Sequence, residues 1–334
     1  MTNLKKLPKV ELHCHLDGSV RPETILELAK KDGIELPTYN LKDLISYLQV
    51  PDDCPSLKVY LERFALPNAV MQNVDNIYRI TKELLEDVAE DGVKYIEIRF
   101  APRLHMVQGL SFDEIVESVL KAIHEAPQTL GIHANLILCC MRHEDVSRSI
   151  EVVEAGRKFL GKGVVAIDLA GNEHDFPPEL HKDAFDLAKE YGYHITVHAG
   201  ETGIGENVEK SIKLLHAERI GHGLFCKDVP SSYDLVKTEQ IPLEMCPVSN
   251  LHTKAVPTYG EHPIGDFYKD DIFVTINTDN MTVSNITQTG EYTHLAKNFD
   301  FDKDIFTEIY LKSVEASFAS NEVKTILRNI VDKA

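Results

Sequence analysis

Residues 164–200 read VVAIDLAGNEHDFPPELHKDAFDLAKEYGYHITVHAG, and this stretch decides the fold. VVAIDLAG (164–171) and HITVHAG (194–200) are short, rich in β-branched residues and almost continuously apolar, as strands covered on both faces should be. Between them, 178–191 carries a helical pattern, so the unit is strand, crossover helix, parallel strand. Comparable strand-like segments lie on both sides at 10–17 (VELHCHLD), 93–101 (VKYIEIRFA), 132–142 (IHANLILCCMR), 219–225 (RIGHGLF), 241–247 (IPLEMCP) and 273–279 (FVTINTD), eight in all. Helical patterns fill most intervals, at 75–91, 112–126, 145–160 and 206–216; in the first, Ile77, Ile80, Leu84, Leu85 and Val88 share a face.

Eight strand–helix units predict an α/β fold, a (β/α)8 TIM barrel, although 334 residues would otherwise suggest two domains. The expectation is a single domain over 1–334, with extra helices after the eighth strand. The first connection breaks the rhythm: helices are expected near 23–32 and 57–72, with a turn at 51–55 (PDDCP). Residues 18–74 are read as a helical lid insertion, because a segment following a barrel strand emerges at the mouth where ligands bind.

The composition narrows the function classes. A hydrophobic fraction of 43% suits a large core and excludes disorder. With 35 Lys+Arg against 53 Asp+Glu the net charge is −18, which repels phosphate backbones and anionic lipid, so neither nucleic acid nor a membrane is an expected partner. No apolar run approaches the ~20 residues of a membrane span. The N-terminal MTNLKKLPKVELHCH lacks the apolar core of a signal peptide, so a cytoplasmic location with six free cysteines is expected.

Polar residues at strand ends face a barrel's mouth, and here they are concentrated. They are His13-Cys14-His15-Leu16-Asp17, Arg142-His143, Gly171, His198 with Glu201, His222, and Thr278-Asp279-Asn280. His13 and His15 are two apart on one strand and project to one face, while Cys14 points into the strand–helix layer. Folding can add His198 and Asp279 to that pair. Three imidazoles and a carboxylate suit Zn2+ or a similar divalent ion with one position open to water. Glu201 either hangs over this cluster or caps a following helix; His222, between Gly221 and Gly223, is a further ligand, a structural histidine or a catalytic group. Other signatures fail: Gly156-x4-Gly161-Lys162 is followed by Gly163 and a strand, and neither HExxH, HxE…PCxxC nor GxSxG occurs.

The segments PKVELHCHLDGSVRPETI (8–25), LCCMRH (138–143), VVAIDLAGNE (164–173), VHAGETG (197–203), RIGHG (219–223), EMCPVSN (244–250) and TINTDN (275–280) resemble the adenosine deaminase family over most of the chain. The resemblance implies a zinc-dependent barrel, one Zn2+ per chain, that hydrolyses the 6-amino group of adenosine or 2′-deoxyadenosine, a step of purine salvage with a small-molecule purine nucleoside as substrate. It implies His13, His15, His198 and Asp279 as metal ligands, Glu201 as proton donor to purine N1, and His222 as the group orienting and helping to deprotonate the attacking water. Gly171 would contact purine N3 through its backbone N–H, and Asp17 would hold the ribose. Many members of the family carry a second aspartate where this chain has Asn280; its amide can donate to N7 directly. Leu57, Tyr60, Leu61 and Phe64 resemble the family's apolar substrate gate, though a core stripe would show the same spacing.

Three rivals remain at this level. An aminopurine deaminase of the same superfamily usually reads HxHLEG or HxHIEG, where this chain has Asp17. A two-metal hydrolase commonly needs a carboxylated lysine ending strand four, where Ala170-Gly171 stands. A non-catalytic barrel predicts a broken ligand set, and this set is intact.

Overall fold

The computed structural model describes residues 3–51 and 54–331; Asp52 and Asp53 of the expected 51–55 turn lie outside the described residues. Eight parallel strands form one sheet in sequence order, each hydrogen-bonded to the next. They are β1 (Lys9–His15), β2 (Val93–Phe100), β3 (His133–Met141), β4 (Val164–Ala170), β5 (His194–Ala199), β6 (Arg219–His222), β7 (Leu243–Met245) and β8 (Val274–Ile276). β8 is too short to ladder against β1. The first and last strands instead meet just beyond it, where Asp279 N–H donates to His13 O at 2.8 Å and His15 N–H to Asp279 O at 2.7 Å. The fold is a (β/α)8 TIM barrel, and its seam is stitched by residues singled out for metal ligation.

Helices lie between successive strands and bury the faces their periodicity marks. Val74–Glu90 begins on an Asn73 cap and buries Ile77, Ile80, Leu84, Leu85 and Val88. Phe112–Thr129 begins on a reciprocal capping box of Ser111 and Glu114. Three boundaries differ from expectation for local reasons. The helix expected over 145–160 is Val146–Gly156 followed by a 3-10 turn, Arg157–Phe159, and at this change the Tyr193 hydroxyl donates to Val153 O at 2.9 Å. The sixth strand stops at His222 because Gly223 turns left-handed, with φ of 76°. The seventh stops at Met245, and Pro247 starts the helix Pro247–His252.

The segment after β1 holds helices Pro22–Asp32, Leu41–Leu48, Leu57–Leu61 and Ala65–Val70, with a 3-10 turn Glu62–Phe64. The expected 57–72 helix is thus three short pieces, and Leu41–Leu48, capped by Asn40, is additional. This segment packs on the loop after β8: Val50, Cys54, Tyr60 and Val283 form one apolar cluster, and Val50 N–H donates to Val283 O at 3.0 Å. After β8 come Gln288–Phe299, Lys303–Ala316 and Asn321–Val331, the expected extra C-terminal helices. They cover early-strand residues: Tyr310, Val314 and Leu327 pack with Val10, Leu12 and Tyr95. Phe318 packs on Ile137 and Ala166, with the Arg219 guanidinium 3.7 Å from its ring centroid. No helix among the described residues is long and apolar enough to cross a membrane.

Candidate active site

The C-terminal strand ends surround a cavity of about 300 Å3. His13, at the end of β1, is fully buried beneath it, and His15 lines it with His198 from the end of β5. His15 Nε2 lies 3.2 Å from His198 Nε2, and Asp279 Oδ1 lies 3.5 Å from the Nε2 atoms of both His13 and His15. One ligand atom from each of His13, His15, His198 and Asp279 falls within 4.8 Å of the others, so the four form a group able to hold a metal ion. Gly221 makes room for it, since a Cβ there would stand 2.9 Å from His13 Cε1.

The other ring nitrogens explain why the imidazoles of His13 and His198 face inward. His13 Nδ1 meets Glu244 Oε2 at 2.8 Å, and His198 Nδ1 meets Asp168 Oδ1 at 3.0 Å. Each carboxylate fixes the tautomer that leaves Nε2 as a lone-pair donor to the cluster. Arg99 spans the two, with Nη1 at 3.1 Å from Asp168 and Nη2 at 2.7 Å from Glu244. Arg219 donates to Glu244 at 2.7 Å and to Glu97 at 2.5 Å. Burial lowers His13 to about 4, so it stands neutral as a ligand must. Burial would lift Asp279, but the imidazoles of His13 and His15 override it and hold the carboxyl below the usual carboxylate range. The buried His13 Nε2 has no hydrogen-bond partner among the described residues, the orphan a bound cation would satisfy.

Glu201 and His222 complete the wall. The turn presenting Glu201 is held by Glu173, whose carboxylate accepts the backbone N–H groups of Gly200, Glu201 and Thr202 at 2.9, 2.6 and 2.8 Å. Asn207 Nδ2 adds a further donor at 3.0 Å. Glu201 does not cap the next helix, which begins after Gly205 without a side-chain cap. Its Oε2 lies 3.7 Å from His222 Nε2, and burial raises its carboxyl above the ordinary value. Arg142, named for its strand-end position, is buried and ties Phe176 O at 3.1 Å and His198 O; His143 lines the cavity.

Asp17, Gly171, Asn280, Leu57, Tyr60, Leu61 and Phe64 all line the same cavity. Asp17 is lifted to about 7 by burial, and its Oδ1 has no partner among the described residues. Gly171 has φ of 106°, a conformation that places its backbone at the wall without a side chain. Asn280 Nδ2 donates to the Tyr60 hydroxyl at 3.0 Å, and that hydroxyl meets Ser284 Oγ at 2.8 Å. Ser249 Oγ donates to Asp279 Oδ2 at 2.5 Å.

The residues proposed from the sequence to bind metal or substrate or to act in catalysis therefore line one cavity or, like His13, lie directly beneath it, whereas Arg142 turns to backbone carbonyls and Thr278 donates to Glu11. What sequence reasoning missed is the layer behind it: Arg99, Asp168, Glu173, Glu244, Ser249 and Asn250. A signal existed, because Glu97, Arg99, Asp168 and Glu244 are charges inside strands whose neighbours are buried on both faces.

The comparisons agree with this geometry. The adenosine deaminase family model matches residues 8–334. An adenosine deaminase of Clostridium botulinum (strain Okra / Type B1) is 58% identical over 329 residues, covering 98% of this chain and 98% of the relative. Among solved structures, an adenine deaminase from Arthrobacter aurescens superposes with a TM-score of 0.90 at 28% identity, covering 98% of each chain. The N6-methyl-AMP deaminase of Arabidopsis thaliana gives 0.87 at 29% identity, covering 99% of this chain and 98% of that one. With its barrel, its histidine–aspartate cluster and a match over nearly its whole length, the chain belongs to the adenosine deaminase family, metal-dependent hydrolases that act on C–N bonds in cyclic amidines.

Proposed function

We propose that this chain hydrolyses adenosine and 2′-deoxyadenosine to inosine and 2′-deoxyinosine plus ammonia, with one Zn2+ per chain held by His13, His15, His198 and Asp279. The observation that carries this reading is the convergence on one cavity of that group with a buried Glu201, whose carboxyl burial raises above its ordinary value. The Clostridium relatives at 52% to 58% identity, all named adenosine deaminase, support the nucleoside.

When bound, zinc supplies the Lewis acidity that brings the pKa of water from 15.7 to about 7. The chain's own residues then divide the work. Glu201, whose carboxyl burial raises above its ordinary value, gives a proton to purine N1, so that the ring can accept electrons as C6 is attacked. Asp279 stays ionised and accepts a hydrogen bond from the attacking water, while His222, 3.7 Å from Glu201, orients the same water. The Gly171 N–H reads N3, the Asn280 amide donates to N7, and Asp17 takes the ribose hydroxyls. Residues 18–74 form a lid within a single domain, and Leu57, Tyr60, Leu61 and Phe64 form its apolar gate. The six cysteines are buried and unpaired, which suits a reducing compartment, and we take the setting to be cytoplasmic purine salvage.

The likeness to an adenine deaminase favours a second reading, deamination of the free base. Asp17 argues for a nucleoside, since its partnerless Oδ1 suits a hydroxyl the free base lacks. A nucleotide is disfavoured, because no Lys or Arg lines the cavity among the described residues, so a 5′-phosphate finds no cation. Ultraviolet assays with adenosine, 2′-deoxyadenosine, adenine and AMP, before and after chelation, test all of this. The nucleosides should give the highest kcat/KM and lose turnover on chelation. A preference for adenine or AMP sinks the nucleoside assignment, and turnover surviving exhaustive metal removal sinks the metal.

A further inference from the structure

Behind His222, facing away from the cavity, a chain of hydrogen bonds runs to the backbone after β7. Ile264 N–H donates to His262 Nδ1 at 3.2 Å. His262 Nε2 meets Asn250 Oδ1 at 3.2 Å, and Asn250 Nδ2 meets His222 Nδ1 at 3.0 Å. All three side chains are buried, at 2%, 0% and 1% exposure for His262, Asn250 and His222.

The polarity of this chain follows from its fixed end. A backbone N–H can only donate, so His262 Nδ1 is an acceptor. Burial lowers His262 to about 3, so its ring is neutral and carries its single proton on Nε2. That proton goes to Asn250 Oδ1, which orients the amide and turns its NH2 toward His222. His222 Nδ1 must then accept, and the proton of the neutral ring sits on Nε2, the atom facing Glu201.

We propose that His262 and Asn250 are positioning residues that lock His222 in its Nε2–H tautomer, so that His222 enters the reaction as a hydrogen-bond donor rather than as the base. This rests on the deaminase reading for its kinetic consequence only; the tautomer is a property of the resting protein. A neutral His222 has no lone pair on Nε2 with which to take a proton from water. It donates to the attacking oxygen and stabilises charge developing there, and Asp279 is left as the acceptor on the other side. The arrangement inverts the serine-protease logic, where a carboxylate behind the histidine holds the proton on Nδ1 and frees Nε2 to act as base. An amide of the same shape, with its NH2 presented, selects the opposite tautomer.

The test is 15N NMR of the histidine-labelled, zinc-loaded protein without substrate, with the His222 signals assigned by their loss in His222→Gln. Nδ1 should show the shift of an unprotonated imidazole nitrogen and Nε2 that of a protonated one. Asn250→Asp replaces the amide by an acceptor of equal size. It should move the proton to Nδ1 and lower kcat about 10²-fold, with KM changed less than about threefold. His262→Gln, whose amide can still donate to Asn250, should keep the wild-type tautomer and kcat within about threefold. An unprotonated Nε2 in the wild type overturns the proposal, and so does Asn250→Asp with a switched tautomer and an unchanged kcat. Should Asn250→Asp fail to fold, the wild-type spectrum decides alone. Absence of turnover on adenosine counts against the deaminase reading and leaves the tautomer result standing.

Discussion

At the scale of single residues, the site separates ionisable groups by what surrounds each. Asp279 and Glu201 are both buried carboxyls in one cavity, yet His13 and His15 hold Asp279 below the usual carboxylate range, while burial raises Glu201 above its ordinary value. Two acids shifted in opposite directions suit the proposed roles of one acceptor and one proton donor. The sign of the pH dependence follows. The proposed mechanism requires protonated Glu201, so the alkaline limb of kcat/KM should fall as the pH climbs through its raised pKa. Glu201→Gln should lose 10²–10⁴-fold in kcat/KM with metal content unchanged, and should no longer show that limb. A loss under tenfold in a stopped assay with metal analysis would remove Glu201 from the role. The first ring of residues was legible because strand-end histidines and carboxylates stand out against apolar strands. The backing groups were not. Glu173, for instance, is an ordinary acid in AGNE until folding brings it to the amides of residues 200–202.

Among the elements, the two ends of the barrel do different work. At the mouth, the segment after β1 reaches over the cavity, and the Tyr60 hydroxyl bonds the side chain next to Asp279. At the other end, the loop before Asn321–Val331 closes the barrel interior: Phe318 N–H donates to Glu97 at 2.5 Å and Arg219 donates to Ala316 O at 3.0 Å. Phe318→Ala removes the plug from Ile137 and Ala166 and exposes the Arg219–Glu97 pair. It should cost about 3 kcal/mol in urea unfolding while leaving KM unchanged, because the substrate cavity opens at the opposite end. A rise in KM as large as the loss in stability would mean that the two ends are coupled. All eight strands and most helices could be read from periodicity. The broken run over 57–70 could not, because whether a stripe of Leu57, Leu61 and Phe64 forms one helix or three short pieces depends on the loop it packs against.

Taken as a whole molecule, the chain carries its −18 on a solvated surface, but its interior has a charge sum of its own. Among the described residues, the buried carboxylates Glu97, Asp168, Glu244 and Asp279 share the barrel interior with the buried guanidinium groups of Arg99, Arg142 and Arg219. A divalent ion held by His13, His15, His198 and Asp279 would add positive charge beside Asp279, so the proposed metal would also be a counter-ion for folding, with protons as its competitors. When the metal leaves, the imidazole with the strongest claim to a proton is His198: burial works against it, but the Asp168 carboxylate lifts it above the ordinary value. Chelation in weakly buffered solution should therefore draw protons from the medium, which a pH-stat would register, and zero uptake would contradict this balance. The gap in Tm between loaded and stripped protein should narrow as the pH falls, because hydrogen ions then occupy the electrostatic place of the metal. Acid would thus become a partial substitute for the metal in holding the barrel together, though not in running its chemistry.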